Sequence, residues 1–216
     1  MDYDDFFHRV TGYLPSTLPA GLQHFNIRHN PGANWIVLRF HEFKYSQYEL
    51  HLAKSSSHHK AYFGEGKVDL VAFYYGGSGV SNDQRMAWLN TVNPYVELIS
   101  RQLGTPVVCG EWSENWAWLA MKLTEYDDIR KMAMSYSISL AHFIQATYIP
   151  ISRVFFALGY KLVGKRGLEP LRLAALDPKS SLSASSSTSP VGRRAGIIYR
   201  RQGRVNSRCY NRPVLL

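Results

Sequence analysis

Apolar residues recur along this chain with two different periods, and the switches between them mark its elements. Phe6, Phe7, Val10 and Leu14 fall at helical spacing, with Asp2, Asp4 and Asp5 at the end where negative charge suits the helix dipole. The spacing predicts a short helix over residues 1–14, stopped by Pro15 and Pro19. Residues 20–34 read as a loop, with Asn30-Pro31-Gly32 as a turn signal. The period then becomes two. Trp35–Phe40 reads as a strand. Tyr45–Ala53 alternates, with Tyr48, Leu50 and Leu52 on one face and Glu49, His51 and Ala53 on the other. Residues 54–60 are a polar loop running into a short strand at Ala61–Phe63. Gly64-Glu65-Gly66 is a turn, and Val68–Tyr75 is a further strand.

After Gly76-Gly77-Ser78-Gly79 the period returns to helical. Ser81 or Asn82 caps a helix whose stripe is Met86, Leu89, Val92, Val96, Ile99 and Leu103, and Gly104 stops it. Pro94 lies inside and is expected to kink or split it. Val107–Cys109 opens another strand, residues 111–115 form a loop, and Trp116–Leu123 is the partner strand. On that partner Trp116, Trp118, Ala120 and Lys122 face one way and Ala117, Leu119, Met121 and Leu123 the other. A last helix covers about Asp127–Thr147, with Ile129, Met132, Ala133, Tyr136, Leu140, Phe143 and Ile144 inward. After the first helix the order is β-β-β-α-β-β-α. Strands come in runs, without βαβ alternation. The class is therefore α+β, a mostly antiparallel sheet with helices packed on one face.

Charge changes the picture only at the C-terminal end. The chain carries 25 Lys and Arg against 16 Asp and Glu, a net charge of +9. Of these, eleven bases and two acids, Glu169 and Asp177, lie between Lys165 and Leu216, so residues 1–164 are neutral, with fourteen of each sign. Ser180–Ser189 is low-complexity, and from Arg193 to Arg212 the chain is basic without a period. The expected organisation is an N-terminal helix and loop at 1–29, an α+β domain at 30–160 and a disordered basic tail at 161–216. Two cysteines, Cys109 and Cys209, cannot build a disulfide framework or a Cys-based zinc site. The start MDYDDFFHRV carries acids where a signal peptide carries bases, and no apolar run approaches the ~18–20 residues of a membrane span. A cytoplasmic protein without membrane contact is expected.

The candidate chemistry is sparse. Glu42-Phe43-Lys44 after an apolar strand has the shape of half a Mg²⁺-dependent nuclease site, in which carboxylates hold the metal and a lysine aids the attacking water. No acid lies between Asp5 and Glu42, so only Asp69 or Glu49, in permuted order, completes it. His58-His59, with His51 and His41, invites a metal reading, but adjacent strand residues point to opposite faces and a solvated loop is favoured. The Gly76–Gly79 stretch lacks the G-K-[ST] ending of a phosphate loop, although its loop-to-helix step offers an anion a helix N-terminus. Trp112, Trp116 and Trp118, with Tyr62, Tyr74 and Tyr75, have few bases near them and read as core and edge before a base-stacking platform. In the tail Arg193, Arg194, Arg200, Arg201 and Arg204 offer a charge-driven, salt-dependent contact to nucleic acid.

Tyr48-Glu49-Leu50-His51-Leu52-Ala53, Tyr75, Asn82, Gln102-Leu103-Gly104, Trp112, Asn115-Trp116-Ala117, Phe143-Ile144 and Pro150 carry a resemblance over about residues 30–155. The stretch resembles a bacterial family of uncharacterised α+β proteins. That family is similar in layout to a domain of unknown function found beside restriction-type and other defence-associated nucleases. The resemblance implies an accessory module and supplies no catalytic residues. Gly167-Leu168-Glu169-Pro170 and the Ser-rich run after it, about 167–191, resemble an antisense translation of a transfer-RNA gene, which implies that the charge of the tail was not selected. The leading expectation is an accessory or interaction module without catalytic activity, defence-associated, with a protein partner and no cofactor. Nucleic-acid binding through the tail and the Trp-rich hairpin comes second. A divergent Mg²⁺-dependent nuclease at Glu42, Lys44 and Asp69 comes third.

Overall fold

The structure, a computed structural model, describes residues 2–55, 57–64, 67–123 and 132–160. The expected disordered tail and the arginines proposed in it lie outside the described residues, as do Ile129 and the start of the last predicted helix.

Helix α1 (Tyr3–Thr17) begins where Asp2 accepts hydrogen bonds from the backbone N–H groups of Asp4 and Asp5. Its buried face is Phe6, Phe7, Val10 and Leu14. Pro15 stands inside its last turn rather than after it. The expected loop at 20–34 holds a short 3₁₀ turn (Ala20–Leu22) and strand β1 (Phe25–His29). The sheet continues with β2 (Trp35–Phe40), β3 (Ser46–Ser55), β4 (Lys67–Gly76), β5 (Val107–Ser113) and β6 (Trp116–Lys122). All five pairings are antiparallel, in the order β1-β2-β3-β4-β6-β5. Strand β6 thus inserts between β4 and β5, which run parallel to each other with helix α3 (Asn82–Leu103) connecting them.

Three helices cover one face. Helix α4 (Ala133–Ala157) packs against α1 on one side and α3 on the other. Ile36, Leu38, Tyr48, Leu50, Val71, Phe73, Tyr75, Ala117 and Leu119 meet them from the sheet. Trp88 of α3 lies fully buried, stacked on Phe73 and Tyr75 at 5.8 and 5.6 Å. Two polar contacts fix α4 to the sheet: the Tyr48 and Thr147 hydroxyls lie 3.1 Å apart, and Tyr136 donates to Asp69. Helix α4 runs ten residues past its expected end and through Pro150. Helix α3 is likewise continuous through Pro94. Pro94 is exposed, and so is Asn90, whose carbonyl loses its helical partner, so the lost hydrogen bond lies on the wet side.

The opposite face has its own, smaller core: Val68, Leu70, Ala72, Tyr74, Trp118 and Ala120. A short helix α2 (Ser57–Phe63) stands over it, where a polar loop and a strand were expected. The reason is geometric. Neighbouring residues Tyr62 and Phe63 both pack edge-on against Trp118, at 5.3 and 6.0 Å, whereas a strand sends neighbours to opposite sides.

Candidate functional site

The residues of the nuclease reading are not brought together. Glu42 and Lys44 lie in the turn between β2 and β3, with the Lys44 ammonium 4.6 Å over the Tyr45 ring. Asp69 lies near the other end of β4. Ser46, just after that turn, pairs with Tyr75, and six residues of strand, roughly 20 Å, separate Tyr75 from Asp69. Asp69 is also buried against α4. Among the described residues no three His, Cys, Asp or Glu side chains are grouped to hold a metal. The side chains of His58 and His59 lie outside the described residues.

The second face carries a chain of polar side chains that the alternation of β3 lines up. Arg39 donates through Nε and Nη2 to Gln47 Oε1, at 3.0 and 2.7 Å. Gln47 donates to Glu49, and Glu49 Oε2 meets His51 Nε2 at 2.5 Å. Trp35 stacks on the His51 ring. A carboxylate–imidazole pair is the material of general acid–base catalysis. Here His51 is fully buried and Glu49 nearly so, which keeps a substrate from reaching either. The chain braces the middle of the sheet. The Trp-rich hairpin beside it is also inward: Trp118 and Tyr74 are buried and Trp112 and Trp116 half-buried. These rings form a second core, and nucleobases have little open face to stack on.

Burial sets the alkaline limit of this fold. Desolvation pushes the phenols of Tyr48, Tyr74 and Tyr75 well above their ordinary range, and the Glu49 charge adds to the effect at Tyr74. Tyr148 is pushed up to about 12, by burial first and the Glu42 charge second. A phenol whose pKa is higher folded than unfolded stabilises the fold fully below the unfolded value, near 10, and loses that contribution as pH rises toward the folded one. Melting temperature is therefore expected to hold up to about pH 10 and fall steeply above it, with the tyrosinate absorbance of Tyr48, Tyr74, Tyr75 and Tyr148 appearing together with unfolding. Tyrosinate signal from all fourteen tyrosines near pH 10 in a still-folded chain would contradict this.

The open site lies at the start of α3. The sheet ends at Gly76, whose φ of +152° and crowded surroundings suit only glycine: a Cβ there would lie 2.1 Å from the Asn115 carbonyl oxygen. Gly77 donates to that same oxygen at 2.8 Å and lies under the Trp116 ring. The loop then climbs to Ser81, which caps α3. Its hydroxyl accepts from the Gln84 N–H, and the Gln84 side chain accepts from the Ser81 N–H. Between this first turn and the β5–β6 hairpin is a cleft of about 550 Å³, lined by Val80, Asn82, Arg85, Glu111, Ser113, Glu114 and Asn115.

Arg85 sets this cleft apart. The residue is only 5% exposed, yet among the described residues no carboxylate pairs with it. Its Nη2 donates to Asn82 Oδ1 at 2.8 Å, and its buried Nε has no partner. A buried cation without a counter-charge is expensive, and such groups are normally paired. The helix N-terminus adds positive potential at the same place. In the sequence the loop-to-helix step offered an anion a helix N-terminus; Arg85 was not singled out. Its signal was available: Arg85 precedes Trp88 by three residues and Leu89 by four, on the apolar stripe of α3.

These features define an α+β protein with a polar cleft at the start of α3. No family model, curated protein or solved structure matches the chain. Among the described residues no helix is long and apolar enough to cross a membrane.

Proposed function

We propose that this chain is a binding module that holds a small anionic group in the α3 cleft, without catalysing a reaction on it. The observation that carries the reading is Arg85, a buried guanidinium whose Nε is unsatisfied and which, among the described residues, has no carboxylate within ion-pair distance. A carboxylate or phosphate oxygen supplies the missing charge and accepts from a fork-shaped donor. An accessory module of the kind the resemblance implies acts by holding a ligand or partner, and the cleft provides the contact. Its association with nuclease-based defence belongs to the same proposal.

Thermal unfolding of the full chain, with acetate or inorganic phosphate titrated at constant ionic strength, tests this. A saturable rise in melting temperature is expected, equivalent to about 2.7 kcal/mol at a hundredfold excess over Kd. The rise should be absent from Arg85→Met. An equal rise in that variant would mean that the anion acts elsewhere. Binding of nucleic acid that survives Arg85→Met, weakens with salt and disappears when Arg193, Arg194, Arg200, Arg201 and Arg204 become glutamine would transfer the function to the tail.

A further inference from the structure

The two walls of the α3 cleft carry opposite charge. Arg85 and the positive end of the helix dipole form one wall. Glu111 and Glu114, both exposed, belong to the other, on the β5–β6 hairpin. Among the described residues neither glutamate is in an ion pair. The remaining polar lining is neutral: the amides of Asn82 and Asn115 and the hydroxyl of Ser113. Val80 is the single apolar residue of the lining.

A bare anion on Arg85 therefore sits in the field of two carboxylates of its own sign, and a bare cation near the glutamates sits in the field of Arg85. A molecule carrying both charges removes both conflicts. Building on the anion-site reading above, we propose that the cleft takes a small zwitterion, with its carboxylate on Arg85 and its ammonium group toward Glu111 and Glu114. The planar guanidinium matches a carboxylate better than it matches a spherical ion. The volume of about 550 Å³ is within the usual range of small-molecule sites. The polar lining favours a short hydrophilic ligand, which makes α-amino acids with small polar side chains the chemical class.

The test is thermal unfolding of the full chain at constant ionic strength, with serine, acetate, ethylammonium or inorganic phosphate titrated separately. Serine is expected to raise the melting temperature saturably, with an apparent Kd at least about tenfold below that of acetate. Ethylammonium is expected to have no effect. The double variant Glu111→Gln, Glu114→Gln should melt at the native temperature without ligand, since both side chains are exposed, and should bind serine no better than acetate. Acetate or phosphate matching serine on the native chain would overturn the zwitterion and leave the anion site standing. A serine preference that survives the double variant would also overturn it. If no ligand raises the melting temperature, both readings fail.

Discussion

Replacing Arg85 with methionine is expected to make the unliganded protein more stable, by about 1–3 kcal/mol. Most substitutions of a buried residue do the opposite. The reason for the reversal is what Arg85 lacks. It is 5% exposed, its side chain makes one hydrogen bond within the first turn of α3 and keeps Nε unsatisfied, and it has no ion pair with a described residue. Burying its charge costs several kcal/mol, and the Asn82 contact returns about 1.5–3 kcal/mol at most. Methionine fills similar space in the first turn of α3 without a charge and is at home in irregular gaps. Urea unfolding should show a higher midpoint with an unchanged slope. The same variant should lose its response to ligand. Gain of stability with loss of binding is the signature of a group kept for function. A loss of more than about 1 kcal/mol would instead show that the guanidinium holds the helix start together.

Gly76→Ala is expected to destabilise the fold by about 3 kcal/mol or more. The added carbon would meet the Asn115 carbonyl oxygen at 2.1 Å and Trp116 Cα at 2.9 Å, and both are backbone, so neither can turn away. The φ of +152° adds its own strain for any residue with a side chain. The damage should reach the cleft as well, because the displaced residue, Asn115, lines it. The same change at Gly12, where nothing lies within 4 Å of the added carbon, is the comparison and should not destabilise. Chemical denaturation of the two variants beside the native chain decides it. Equal stability of Gly76→Ala and the native chain would mean that the β4 end and the hairpin are looser than their hydrogen bonds indicate.

Wherever a signal was local, the sequence alone determined the element. The Ser81-x-x-Gln84 cap, the apolar stripe of α3 and the left-handed Gly104, at φ +68°, form one self-contained unit, whose start was legible as Ser81 or Asn82 and whose stop was legible at Gly104. The two faces of β6 were legible too, because a period of two assigns faces without reference to any neighbour. The α+β class followed from the order of such units. Strand β1 was hidden because three of its five residues are exposed at a sheet edge, which leaves little alternation, and only pairing with β2 makes it a strand. Helix α2 was hidden because Trp118, more than fifty residues away, decides which way Tyr62 and Phe63 point. The insertion of β6 between β4 and β5 is a pairing choice that no local pattern encodes. The site depends on that choice. The β5–β6 hairpin reaches the start of α3 only because β6 lies beside β4, and this turns an arginine on an apolar stripe into a buried cation facing two glutamates. Residue type and period determined the parts; long-range packing alone decided which charges line one cleft.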